Sequence, residues 1–296
     1  MIISGDRTAV EIAKELDGII EKKGRESIPR MIFLGMLAGV YIGFGAIACS
    51  TVNGWGGVDP ALSPAIVRFL GGSVFALGLI LVIVPGSELF TGNVLMVAGL
   101  GRNVRARSIL ANWFFVYLGN FLGAVALAGV FYGTGLMFNV DPATHEKTLS
   151  AVGAWAVKNT QVRIEQMPFW DAFFRGVLCN ILVCLAVILA LASRNVIGKV
   201  MGIYFPIMVF VLCGFEHCIA NMYFLSAGLM TKGTFFSEFG TMWHNLVPVT
   251  LGNIVGGSIL VLMHPGRWRR LAHMVGGAGE ESGAEHDTRV IPTKES

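Results

Sequence analysis

A chain of 296 residues with 54% hydrophobic and 14% charged residues and a mean hydropathy of +0.67 is too apolar for a soluble domain of this size and reads as a polytopic membrane protein. The net charge of +3 excludes nothing by itself; what matters is where the 22 Lys and Arg fall. Cys49, Cys179, Cys184, Cys213 and Cys218 all lie in apolar runs without CxxC spacing, which argues against a disulfide framework or a zinc site and for small packing residues.

Residues 1–27 are polar and charged. Thr8 and Glu11 form a capping box ahead of Val10, Ile12, Ala13, Leu16, Ile19 and Ile20 at helical spacing, so an amphipathic helix on the membrane surface is expected. The interspersed Glu11, Lys14, Glu15 and Asp17 argue against a signal peptide. A domain of six membrane spans is expected over 28–265. Its first spanning segment, 28–49, has about the 20 residues that a hydrocarbon core requires and carries Gly35, Gly39, Gly43 and Gly45, small enough for close helix contact. A loop over 51–64 leads to segment two, 66–84, which stops at Pro85-Gly86. A short apolar piece, 94–100, and the basic run Arg102, Arg105, Arg107 precede segment three, 108–131.

The region 134–170 reads as the longest polar connection, carrying Asp141, His145, Lys147, Lys158 and Arg163. Segment four covers 172–192; segment five starts near 200, breaks at Cys213-Gly214 and resumes to 230; segment six covers 246–263. The tail, 266–296, is polar and expected to be disordered. Six spans put both termini on one side together with sixteen of the 22 Lys and Arg, so the positive-inside rule places the termini in the cytoplasm and the chain in the inner membrane.

Two stretches carry ionisable groups between these apolar runs, where such groups are costly and point to function. Pro85-Gly86-Ser87-Glu88-Leu89-Phe90-Thr91-Gly92-Asn93 and Gly214-Phe215-Glu216-His217-Cys218-Ile219-Ala220-Asn221 share one spacing: glycine, glutamate two residues on, asparagine five after that. A second pattern recurs in the same order. Asn112, Leu118, Gly119, Asn120 and Gly123 are repeated 133 residues later as Asn245, Leu251, Gly252, Asn253 and Gly256, while the glutamate stretches are 128 residues apart. The expected fold is therefore all-α, with six spans in two three-helix units whose second and fifth helices are broken. An odd number of spans per unit makes the repeat inverted and puts a solute path at the interface of the units.

Pro85 to Asn93, the run 175–186 with Asn180, and Gly214 to Met222 together resemble the formate/nitrite transporter family, over about residues 28–265. The resemblance implies an aquaporin-like protomer and a homopentamer with one pore per protomer. It also implies transport of small monovalent anions: formate first, then nitrite or hydrosulfide. Carried onto this sequence, it makes Leu79, Leu89, Phe90 and Thr91 the cytoplasmic constriction and Phe75 and Phe210 the periplasmic one. His217 becomes the central histidine and proton donor, with Asn180 the polar residue near it. Lys158 resembles the vestibule lysine, but 22 residues separate it from Asn180, so an insertion or a takeover by Arg163 is implied.

Glu88 and Glu216, with Asn93 and Asn221, read instead as structural groups at the helix breaks, the carboxylates accepting hydrogen bonds from exposed amides. A carboxylate facing the path would repel an anion. No Walker, HExxH or GxSxG motif occurs, and one deep histidine does not make a haem site, so no enzyme, cofactor, metal or nucleic-acid partner is expected. Besides the bilayer and its own copies, the partners expected are anions and protons. The alternative reading is an aquaporin-type pore for neutral solutes.

Overall fold

The computed structural model describes residues 6–263 except 60 and 102–103, so Arg102 and the tail at 266–296 lie outside the described residues. Helix α1, Ala9–Gly24, begins with the expected capping box: Thr8 Oγ1 accepts from Glu11 N while Glu11 Oε2 accepts from Thr8 N and Oγ1. The Thr8 backbone N–H, then its hydroxyl, hold the Glu11 carboxyl below its ordinary value. The helix does not simply lie on a surface. Ile20 is 2% exposed and packs with Leu95, Met96 and Val104, which ties α1 to the chain just after the first break.

Helix α2, Ile28–Gly57, runs eight residues past the expected end at 49. Ser50, Thr51 and Asn53 return their side-chain hydrogen bonds to the carbonyls of Ala46, Ile47 and Cys49, so polar residues continue the helix without needing water. Helix α3 is Pro64–Ile83. After the break come the four-residue α4, Phe90–Asn93, a 3-10 stretch over Val94–Gly99, and α5, Ala106–Gly133.

The polar connection expected over 134–170 is structured. An antiparallel hairpin pairs β1, Phe138–Val140, with β2, Lys147–Leu149, and is followed by α6, Ala151–Gln161, with a π turn over Val162–Gln166. Helix α6 buries Val152, Gly153, Ala156 and Thr160, and Thr160 donates to Phe224 O at 2.9 Å. Then follow α7, Phe169–Ala192; α8, Val196–Leu212; α9, Cys218–Lys232; the short α10, Phe235–Glu238; and α11, Met242–Met263, which starts four residues before the expected 246.

Among the described residues five helical stretches are long and apolar enough to cross a membrane: Ile28–Gly57, Pro64–Ile83, Ala106–Gly133, Phe169–Ala192 and Phe235–Val261. Val196–Leu212 is equally apolar at 17 residues. The close pairings are α2 with α5 and α7 with α11, and both need glycine. A Cβ on Gly123 would lie 2.0 Å from Met36 O, and one on Gly256 would lie 2.1 Å from Val177 O. No side chain fits there, so the backbones touch, as small residues allow between membrane helices.

Candidate functional site

Each helix break is made by a glycine that turns the chain and an asparagine that receives it. Gly86 has φ +88 and Gly214 φ +72, a region open to glycine at little cost. The chain then runs back into the protein, with Glu88 N donating to Leu34 O and Glu216 N to Arg175 O, each at 3.3 Å. The new helix starts leave N–H groups without intrahelical partners. Asn120 Oδ1 accepts from Phe90 N at 2.9 Å and Asn253 Oδ1 from Cys218 N at 3.0 Å.

The glutamates were expected to accept from exposed amides; their carboxylates take other partners. Glu88 Oε2 accepts from Asn93 Nδ2 at 2.7 Å and from Lys23 Nζ at 2.5 Å, and Glu216 Oε2 from Asn221 Nδ2 at 2.6 Å and Arg163 Nε at 2.9 Å. Asn93 and Asn221 also donate to Asn112 Oδ1 and Asn245 Oδ1 at 2.8 and 2.7 Å. Glu88 is 8% exposed and Glu216 2%, so each charge is buried only because a cation and an amide meet it. The first cation comes from α1 and the second from the π turn after α6, both elements outside the long helices. Lys158 is exposed on α6, whereas Arg163 reaches the second break, bonds Asn159 and lies with its guanidinium carbon 5.4 Å from the Phe224 ring centre.

Between the breaks, Thr91 Oγ1 and His217 Nε2 are 2.9 Å apart, with Thr91 fully buried and His217 3% exposed. His217 Nδ1 accepts the N–H of Ala220 at 3.1 Å, so in the neutral ring the proton sits on Nε2 and points at Thr91. The threonine hydroxyl then accepts from the ring and keeps its own proton for another acceptor. Asn180 Nδ2 donates to Thr91 O at 3.2 Å and to Asn253 O at 2.6 Å, which fixes the Thr91 backbone, while Asn180 Oδ1 is buried without a partner among the described residues.

Aromatic rings stack beside the histidine of this pair. Phe210 stacks on His217 at 5.9 Å and meets Phe75 edge-on at 5.6 Å, and Phe224 stacks on Phe75 at 6.5 Å. Leu79, Leu89 and Phe90, each 2–3% exposed, belong to the same apolar cluster. Thus Thr91, His217 and Asn180 meet, Phe75 and Phe210 meet, and Lys158 stands apart. Sequence reasoning missed Lys23, Phe224, Trp113 and Tyr117, and did not see that the repeated asparagines are the partners of the repeated glutamate stretches. The shared spacing of those patterns was the available signal.

The sequence pattern of the family described as formate/nitrite transporter matches residues 10–265. The chain is 41% identical over 267 residues to a "Probable formate transporter" of Methanothermobacter thermautotrophicus, covering 87% of this chain and 95% of the relative. It is 37% identical over 217 residues to the "Formate channel FocA" of Haemophilus influenzae, covering 66% and 72%. A solved structure titled "Pentameric formate channel with formate bound" superposes with a TM-score of 0.69 at 32% identity, covering 83% of this chain and 98% of that one. A match across most of the chain, supported by relatives of nearly the same length, makes this membrane protein a member of the formate/nitrite transporter family, a family of transporters and channels and not of enzymes.

Proposed function

We propose that the chain carries small monovalent anions, formate before nitrite and hydrosulfide, across the inner membrane through a path in each subunit of a homopentamer. The observation that carries the reading is the buried Thr91–His217 pair, with Phe210 stacked on the imidazole and Phe75 against Phe210, in a chain similar to proteins named as formate channels. Six spans in two inverted, aquaporin-like three-helix units would set both breaks at the middle of the membrane, with the amphipathic segment 1–27 and the tail 266–296 in the cytoplasm. The matched constellations around Glu88 and Glu216 support that arrangement.

An anion entering a low-dielectric constriction loses hydration that leucine and phenylalanine cannot replace, a cost of at least several kcal/mol. A proton removes that cost by turning formate into a small neutral acid. In this reading the anion first accepts the free hydroxyl proton of Thr91 as a hydrogen bond, and His217 supplies the proton that neutralises it. To donate and return to a neutral ring, His217 must first gain a second proton on Nδ1, displacing the Ala220 N–H. A lone imidazolium at this depth is costly, and an anion beside it offsets the charge, so anion and proton enter together. Lys158, exposed on α6, would raise the local anion concentration at the periplasmic mouth, whereas the charge of Arg163 is met by Glu216. An aquaporin-type pore would need no such proton site.

Uptake of labelled formate by vesicles containing the purified chain, with unlabelled nitrite, hydrosulfide and glycerol as competitors, tests the proposal. Competition by nitrite and hydrosulfide but not glycerol is expected. Displacement by glycerol would favour the neutral-solute pore.

A further inference from the structure

The two breaks share their hydrogen bonds but not their surroundings. Around the first, the Phe90 ring meets Tyr117 edge-on at 5.0 Å and Trp113 edge-on at 6.0 Å. Trp113 and Tyr117 are four residues apart on α5 and so share a face. Each is also tied down at its polar end. Trp113 Nε1 donates to Asn93 O at 3.0 Å, and Tyr117 Oη lies 3.0 Å from Thr250 Oγ1 on α11. Phe90 itself is 3% exposed and its N–H is held by Asn120. Its position is therefore fixed from the backbone and from two sides of the ring.

The second copy carries no such wall. By the same residue offsets, Phe90 corresponds to Cys218, Trp113 to Leu246, and Tyr117 to Thr250. The second break nonetheless keeps the complete set of Asn253, Glu216, Asn221 and Asn245 bonds. Three aromatic rings are thus not needed to build a break of this type. Tyr117 and Thr250 are moreover each other's counterparts, so their bond joins the two copies where they meet. Edge-to-face aromatic contacts and a hydrogen bond at each far end restrict ring motion more than packing with aliphatic side chains does.

We propose that Trp113 and Tyr117, with Thr250 anchoring Tyr117, are positioning residues that hold the Phe90 ring in place and so set the largest carboxylate that passes the first break. The inference rests on Phe90 forming part of a constriction, as proposed above. With the ring held, formate passes and a carboxylate with an added methyl group is retarded. With the ring released, the constriction widens for part of the time and discrimination falls while formate flux changes little.

The test is the ratio of acetate to formate uptake in vesicles containing the full-length protein. The variants are Tyr117→Phe, Thr250→Val, the double variant, Trp113→Phe and Phe90→Leu. Tyr117→Phe and Thr250→Val each remove one hydrogen bond from opposite sides and should each raise the ratio about fivefold, the factor that corresponds to one such bond. The double variant should add nothing further, because both changes delete the same bond, and Phe90→Leu should raise the ratio at least as much. A purely structural role would lower thermal stability or total flux and leave the ratio unmoved. If Phe90→Leu raises the ratio but neither Tyr117→Phe nor Thr250→Val does, the clamp is wrong and the constriction stands. If Phe90→Leu leaves the ratio at the wild-type value, the constriction itself is misplaced and the clamp falls with it. Should Tyr117→Phe fail to fold, Thr250→Val probes the same bond from the other helix.

Discussion

Asn120 and Asn253 stand 133 residues apart and make the same three hydrogen bonds. Each side-chain oxygen accepts the first N–H after a helix break, and each amide nitrogen donates to two carbonyls, Gly35 and Glu88 for Asn120, Gly176 and Glu216 for Asn253. Both are fully buried, so no water can replace the lost partners. Leucine at either position orphans the N–H of the new helix and takes the amide donor from the Glu88 or Glu216 carbonyl, while the Gly35 and Gly176 carbonyls keep their intrahelical bonds. Each variant should lose about 3 kcal/mol of stability or more, read as a lowered unfolding midpoint in detergent. A change below about 0.5 kcal/mol, within surface-substitution scatter, would mean that the breaks are held by something else.

The two ion pairs should behave as buried pairs with unequal exposure. Arg163→Met leaves the Glu216 carboxylate, 3% exposed at its side chain, without its cation and should cost about 3 kcal/mol. Lys23→Met should cost less, because the Glu88 side chain is 10% exposed and Lys23 20%. Adding Glu216→Gln to Arg163→Met should recover part of the loss. Lys158→Met, which breaks neither pair, should unfold like the wild type. A double-mutant cycle showing no coupling between Arg163 and Glu216 would remove the pair from the account.

Thr91→Val keeps the side-chain shape but removes the hydroxyl, leaving His217 Nε2–H without an acceptor. Formate flux through folded protein should fall about tenfold, the effect of losing one hydrogen bond near a charged species. Wild-type flux in this variant would reduce Thr91 to packing.

His217→Asn separates helix capping from proton supply. Asparagine is a good N-cap, so its Oδ1 can take over the Ala220 N–H and the variant should fold. It does not titrate between pH 5 and 8, where an ordinary histidine changes charge. Under the proposed role, flux across that range should lose its rise toward acid pH. A wild-type pH profile in this folded variant would move the proton source to water or to Lys158.

Much of this arrangement was legible in the sequence. The turns at Gly86 and Gly214 and the glutamates and asparagines beside them could be read because glycine, glutamate and asparagine recur at fixed spacing, and spacing is what a one-dimensional chain preserves. Lys23 was not legible, since its partner Glu88 lies 65 residues away and nothing in residues 1–27 repeats the pattern around it. Helix α6 was masked by Lys158, Asn159 and Arg163, which made an ordered helix look like a loop, although Ser150 caps it by accepting from Gly153 N at 3.1 Å. The extension of α2 was hidden for a related reason. Ser50, Thr51 and Asn53 mark a loop to a reader of composition, yet each bonds back to its own helix. Trp113 and Tyr117 look like lipid-facing aromatics in the sequence, because what singles them out is contact with Phe90 on another helix.

The central claim is that a small anion, and not a neutral solute, crosses beside Thr91 and His217. It is tested most directly by measuring labelled formate uptake and osmotic water and glycerol permeability in the same vesicles, with and without the protein. The account predicts protein-dependent formate uptake, sharply reduced by Thr91→Val, with water and glycerol permeability no greater than that of empty vesicles. Protein-dependent glycerol flux with no formate uptake would contradict it.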